Sequence, residues 1–275
     1  MKLRVLTALV LGPLALLIVG WAPEWLFLLV LLAVVERAMF EYNRLVLHAG
    51  FHTIPGAGYV SAGALCLAQM AEIQWPATRG IAFLLTLVSA LLVTLVIGLI
   101  SSPEPRHYLS AVTSTVFGII YVGGTLCWLV PLRFAKPVEG RNLILLLLLV
   151  SATEDVFAYL VGRGIGRTPL IPAISPKKTV EGSIGGLVGS VAVGWAFAHW
   201  FWKTEPLKTA ILYSVIVAVA GPLGDLVESA MKRASDVKDS GTLLPGHGGL
   251  LDRIDSLMLS APALWAVVTL GSYVK

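Results

Sequence analysis

Two short segments carry carboxylates at a spacing suited to divalent-metal chemistry. In "VAGPLGDLVESAMKR", Asp225 and Glu228 lie three residues apart and Lys232 follows four later, so all three share one face of a helix. In "LLDRIDSLM", Asp252 and Asp255 repeat the three-residue spacing. Carboxylates without His or Cys at ligand spacing are hard oxygen donors, which suit Mg²⁺ and not zinc or copper. The expected ligand set is therefore Asp225, Glu228, Asp252 and Asp255. An ion held this way keeps positions open for phosphate oxygens.

The segment joining these carboxylates reads "KDSGTLLPGHGGLLDRIDS". Gly246, Gly248 and Gly249 permit positive φ and close backbone approach, and successive N–H groups in such a turn form an anion nest. His247 reads as a ring donor for phosphate or as a hydrogen-bonder within the loop, and Lys232, Arg233 and Lys238 surround the turn with positive charge. A second cluster runs from Asp155 through Gly162, Gly164 and Gly166 to "SPKKT". Those glycines read as a helix exit, because no strand precedes them as a dinucleotide fingerprint requires. Ser175, Lys177 and Lys178 come just before a helix start, where the dipole and free N–H groups favour phosphate. Gly185 to Gly189, "GGLVG", reads as close helix packing. All six aspartates lie after residue 150, which puts the chemistry in the C-terminal half.

These groups sit in a chain of 275 residues that is 57% hydrophobic and 13% charged. Soluble domains run nearer 45–50% apolar and about 25% charged. The class is therefore all-α, a polytopic integral membrane protein. Apolar runs predict nine transmembrane helices near 5–22, 25–40, 57–74, 80–100, 111–131, 142–162, 183–202, 208–231 and 250–272. The third is the weakest, interrupted by Gly63, Gln69 and Glu72. With the N-terminus cytoplasmic, thirteen Lys and Arg fall on the inner side and seven on the outer. Arg133, Lys136 and Arg141 lie in one outer loop on this reading. The expected division is a scaffold over 1–140 and a catalytic region over 141–275. Lys2 and Arg4 open a retained first helix and not a cleaved signal. Cys66 and Cys127 read as buried thiols, and Glu36, Arg37, Glu41 and Arg44 as a solvated helix end. Pro222 and Gly224 are expected to loosen the helix around Asp225. No basic run with interleaved aromatics suggests nucleic acid.

From Ser229 to Ser256 the chain resembles the signature of the phosphatidate cytidylyltransferase (CDP-diacylglycerol synthase) family. The matching positions are Ser229, Lys232, Arg233, Lys238, Asp239, Pro245, His247, Gly248, Gly249, Asp252, Arg253 and Asp255. "GDLVES", "SPKKTVEG" and "DVFAYLVGRGIG" extend the resemblance. Val156 departs from it, since members often carry threonine there. The resemblance implies an enzyme of the bacterial cytoplasmic (inner) membrane that converts CTP and phosphatidate into CDP-diacylglycerol and pyrophosphate, with its active site facing the cytoplasm. It also implies Mg²⁺ with a second, monovalent cation such as K⁺ at the aspartates matching Asp225 and Asp252. Catalytic roles then fall on Asp225, Asp252, Lys232 and Lys238. Substrate contacts fall on Asp155, Ser175, Lys177, Lys178, Arg233, Gly246, His247, Gly248, Gly249 and Arg253. Two alternatives stay open: a CTP-dependent lipid or polyprenol kinase, and a cation-coupled transporter built around Asp225. Glycine-rich faces also allow packing between chains, so a homodimer is an expectation.

Overall fold

The computed structural model describes residues 12–13, 16–101, 104–135, 137–243 and 248–273. It is almost entirely helical. In chain order the elements are α1 (Glu24–His48), α2 (Pro55–Gln74), α3 (Ile81–Ser101) and α4 (Pro105–Phe134). They continue with α5 (Pro137–Ile165), β1 (Pro169–Ile171), β2 (Ser175–Thr179), α6 (Val180–Phe201), α7 (Leu207–Ala234) and α8 (Leu251–Tyr273). Helix α4 contains a π-helical stretch at Ile119–Gly123.

Among the described residues, six helices are long and apolar enough to cross a membrane, namely α3 to α8. The fold is thus that of a multi-pass, all-α membrane protein. Half of the expected first helix falls outside the described residues; within it, 16–21 are helical. The doubtful third is a real helix, α2, with Gln69 and Glu72 buried on it. Glu72 accepts the Phe83 backbone N–H at 2.8 Å, so an acidic residue in a greasy segment satisfies an orphan donor in the first turn of α3.

Contacts divide the chain into two compact units. One comprises Met1–Pro137 with Met231–Ile254, the other Val138–Ala230 with Asp255–Lys275. In the first unit, small residues admit large neighbours. Gly118 leaves room for the Tyr42 ring, and a Cβ at Gly123 would strike the Ala62 backbone. Tyr42 donates its hydroxyl to the Ser114 carbonyl at 2.7 Å, so this buried phenol is satisfied without water. Cys66 and Cys127 are free, buried thiols, as their apolar runs imply. Arg133 corrects the loop expectation. It lies in α4, only 8% exposed, and donates to the carbonyls of Val19 and Gly20 at 2.7 and 3.0 Å.

In the second unit, α6 lays its glycines on α5, which confirms the packing reading of "GGLVG". A Cβ at Gly185, Gly186 or Gly189 would meet Val161, Glu154 or Phe157. Ser190 donates across to the Val150 carbonyl at 3.1 Å. Between α5 and α6, "SPKKT" stands just before a helix start as expected, and it is a strand. Residues 169–179 form an antiparallel hairpin, with Pro169 opposite Thr179 and Ile171 opposite Ser175. Glu181 holds its base, accepting the N–H groups of Arg167 and Thr168 at 3.1 Å and the Thr168 hydroxyl at 2.9 Å. Thr179 then caps α6, its hydroxyl oxygen accepting the Gly182 N–H at 3.1 Å.

Candidate active site

In the second unit, carboxylate oxygens of Asp225, Glu228 and Asp255 lie within 4.8 Å of one another. Two helices build this convergence. Asp225 and Glu228 share a face of α7 by their three-residue spacing. Gly224 brings Asp255 to them, because a Cβ there would overlap the Asp255 carbonyl, while Gly221 packs on Ser256. The helix runs unbroken through Pro222. Contrary to the expectation from sequence, Pro222 and Gly224 do not unwind the backbone for an ion; Gly224 permits the close helix crossing that gathers side-chain ligands.

The surroundings of the cluster are mixed. Glu228 is fully buried, whereas the Asp225 side chain is 25% exposed. Asp225 accepts the Ser229 hydroxyl at 3.1 Å on one oxygen and meets the Lys178 ammonium at 2.5 Å on the other. The half-buried Lys178 reaches it from β2. Glu154, buried on α5, lies within electrostatic range of Asp155, Lys178 and Asp225. A cavity of about 200 Å³ opens here, lined among others by Glu154, Asp155, Tyr159, Lys177, Lys178 and Thr179. Ser175 stands in β2 opposite Ile171. Three carboxylates this close, one with no exposure to water, are unfavourable without positive charge. The donor set fits a hard divalent cation by both charge and atom type.

The remaining carboxylate belongs to the first unit. Asp252 Oδ1 meets the Lys232 ammonium at 2.7 Å, and Oδ2 accepts the Ser240 and Gly249 backbone N–H groups at 2.9 and 2.8 Å. The Ser240 hydroxyl also lies 2.9 Å from Oδ2. Both ionic partners are largely buried, with Lys232 12% and Asp252 6% exposed. The Gly249 N–H expected as a phosphate donor is thus engaged by Asp252. Gly248 does adopt positive φ, at 82°, and a Cβ there would crowd Asp252. Gly246 and His247 lie outside the described residues. Arg233, Lys238 and Arg253 are exposed.

Glu41 corrects the solvated-end reading. It is fully buried on α1, ion-paired with Arg37 at 3.0 Å, and accepts the Leu251 N–H at 2.8 Å. Sequence reasoning missed Glu41 and gave Glu154 no role of its own. For Glu154 a signal existed, since an acid within a long apolar run is expensive to keep there. For Glu41 the neighbouring charges disguised it.

The chain matches the cytidylyltransferase family over residues 2–270. It is 39% identical over 169 residues to a phosphatidate cytidylyltransferase of Mycobacterium bovis, covering 62% of this chain and 54% of that one. It is 36% identical over 200 residues to an uncharacterized Escherichia coli protein, YnbB, covering 70% and 65%. A phosphatidate cytidylyltransferase of Staphylococcus haemolyticus is 32% identical over 266 residues, covering 96% and 97%. The chain thus spans about half the length of the mycobacterial relative and nearly all of the staphylococcal one. These matches bear out the resemblance read from residues 229–256: the chain belongs to the cytidylyltransferase family.

Proposed function

We propose that the protein transfers the cytidylyl group of CTP to phosphatidate, giving CDP-diacylglycerol and pyrophosphate. One observation carries this reading beyond the family match. Asp225, Glu228 and Asp255 converge within 4.8 Å, and Lys178, paired with Asp225, also lines an adjoining cavity. Ligands for a cation and a partner for phosphate therefore occur together in one unit. The names of the Mycobacterium and Staphylococcus relatives supply the acceptor lipid.

A phosphate oxygen of phosphatidate attacks the α-phosphorus of CTP and forms a new P–O bond. The bond from that phosphorus to the α–β bridging oxygen breaks, and pyrophosphate leaves with the electron pair. The phosphate monoester is largely ionised at neutral pH, since its second pKa is about 6, so no strong base is needed. What the protein supplies is position and charge. Lys177 and Lys178 meet phosphate oxygens in the cavity, while Arg233, Lys238 and Arg253 draw in the two polyanions. Lys232, held by Asp252, presents a fixed ammonium. Asp225, Glu228 and Asp255 would hold Mg²⁺; the resemblance implies a monovalent ion as well and counts Asp252 among the acids it assigns to ion binding. A Mg²⁺ held by these acids would supply positive charge against that developing at the α-phosphorus of the transferring cytidylyl group.

The nine-span, N-cytoplasmic topology belongs to this proposal and rests on the excess of Lys and Arg on one side. It puts the site on the cytoplasmic face of the inner membrane, where CTP is made available. The test uses purified protein with phosphatidate, Mg²⁺ and CTP labelled at the α-phosphate. Label should enter the lipid phase and EDTA should stop it. No transfer by folded protein with several lipid acceptors would overturn the proposal and bring ion transport forward.

A further inference from the structure

Glu41 grips the polypeptide on both sides of the turn before α8, all within the first unit. Its Oε2 accepts the Leu251 N–H at 2.8 Å and lies 3.2 Å from the Ser240 hydroxyl, while Oε1 is held by Arg37. Gly241 and Gly249 are both places where a Cβ would overlap this carboxylate. Two glycines from opposite sides of the turn therefore close over one buried acid. Ser240 also serves Asp252, through its N–H and through its hydroxyl, each 2.9 Å from Oδ2. A hydroxyl has one proton, so it serves one carboxylate at a time and ties the two acids together. Asp252 in turn holds the Lys232 ammonium at 2.7 Å.

We propose that Glu41 is a positioning residue, which sets the Asp252–Lys232 pair by fixing Ser240 and the first turn of α8. A buried carboxylate is a poor choice for packing alone, because an apolar side chain of similar size avoids its desolvation cost. What the carboxylate adds is direction. It receives donors from α1 and from both arms of the turn, so the helix start and Ser240 cannot drift apart. Lys232 is then presented from a rigid base and not from a mobile four-carbon stem. The inference rests on the cytidylyl-transfer reading only in giving Lys232 a substrate to meet.

The full-length protein in detergent allows two independent readouts. Backbone hydrogen exchange should rise in Glu41→Ala around Ser240–Gly241 and Gly249–Asp252, with α3 unchanged. In the same variant kcat per folded molecule should fall about tenfold to a hundredfold, the scale of a misplaced catalytic group. The decisive comparison is a double-mutant cycle with Lys232→Met. If Glu41 acts through Lys232, adding Glu41→Ala to Lys232→Met should cost less than about twofold further. A full multiplicative loss would overturn the inference, and so would unchanged exchange at Ser240 and Leu251. Glu41→Gln keeps an acceptor for the Leu251 N–H and guards against a variant that fails to fold. It should recover most of kcat and of the exchange protection; a folded Gln variant as slow as the Ala one, with wild-type exchange, also overturns the assignment. Wild-type protein without cytidylyl transfer refutes the functional reading, while the exchange data still decide whether Glu41 fixes the turn.

Discussion

Asp252 and Asp255 stand three residues apart in the sequence, as Asp225 and Glu228 do, yet they end in opposite surroundings. Around Asp225, Glu228 and Asp255, acids face acids, with the Lys178 ammonium and the Ser229 hydroxyl both directed at Asp225. Around Asp252, one carboxylate collects an ammonium, two backbone N–H groups and a hydroxyl. The first arrangement gathers three carboxylates as hard oxygen donors and suits a cation from outside. The second has its charge met by donors of the chain itself. Spacing alone therefore does not tell the two settings apart; the donors supplied by the rest of the fold do.

The comparison breaks most sharply at Asp225. Asp225→Asn should lower label transfer by about a hundredfold to a thousandfold, the range for removing a group that stabilises transition-state charge. It should leave insertion and folding intact, because it relieves repulsion among crowded acids. Near-normal turnover by this variant would refute the cluster as the cation site. Asp252→Asn should behave differently. Lys232 and the donors around Oδ2 would lose a charged partner, at about 3–5 kcal/mol for breaking a buried pair. Its melting temperature should drop even in EDTA.

Magnesium separates the two regions without an activity assay. At about a hundred times its dissociation constant, a ligand of the folded state stabilises by about 2.7 kcal/mol. Wild-type protein should thus melt several degrees higher with Mg²⁺ than with EDTA. Asp255→Asn should abolish that shift, and Asp252→Asn should keep it on a lowered baseline. The same shift in both variants would erase the distinction. Gly224→Ala sharpens it further by pushing the Asp255 backbone away from α7. Magnesium affinity should weaken about tenfold or more, as when the support of a metal site is disturbed.

Much of this was legible in the sequence, and the misses have physical reasons. Helices declared themselves through apolar runs, and Asp225 with Glu228 through spacing in a segment where acids are costly. Glycine at 185–189 was legible as packing because small residues in membrane helices have few other uses. Gly224 was not, since a glycine that loosens a helix and one that admits a neighbour look alike until the neighbour is known. Glu41 hid for a related reason: flanked by Arg37 and Arg44 it resembled a solvated turn, and its partners lie about 200 residues away. The hairpin at 169–179 has three- and five-residue strands, too short for a period to register.

The smallest expected effect tests how far the cavity depends on local capping. Thr179 stands where β2 ends and α6 begins, next to Lys178, and its hydroxyl oxygen accepts the Gly182 N–H at 3.1 Å. Thr179→Ala should cost about 1 kcal/mol through the lost cap. It should lower the melting temperature by only a few degrees. Gly166 and Gly182 both pack against this threonine side chain, so its removal also slackens the seat of the hairpin on α5 and α6. Because Lys178 reaches Asp225 from that hairpin, KM for CTP should rise about two- to threefold at nearly constant kcat, the pattern of lost uniform binding. Asp225→Asn predicts the reverse split. A fall in kcat with unchanged KM in Thr179→Ala would mean that the hairpin acts on the reacting phosphorus itself, and Lys178 would then move from substrate capture to transition-state stabilisation.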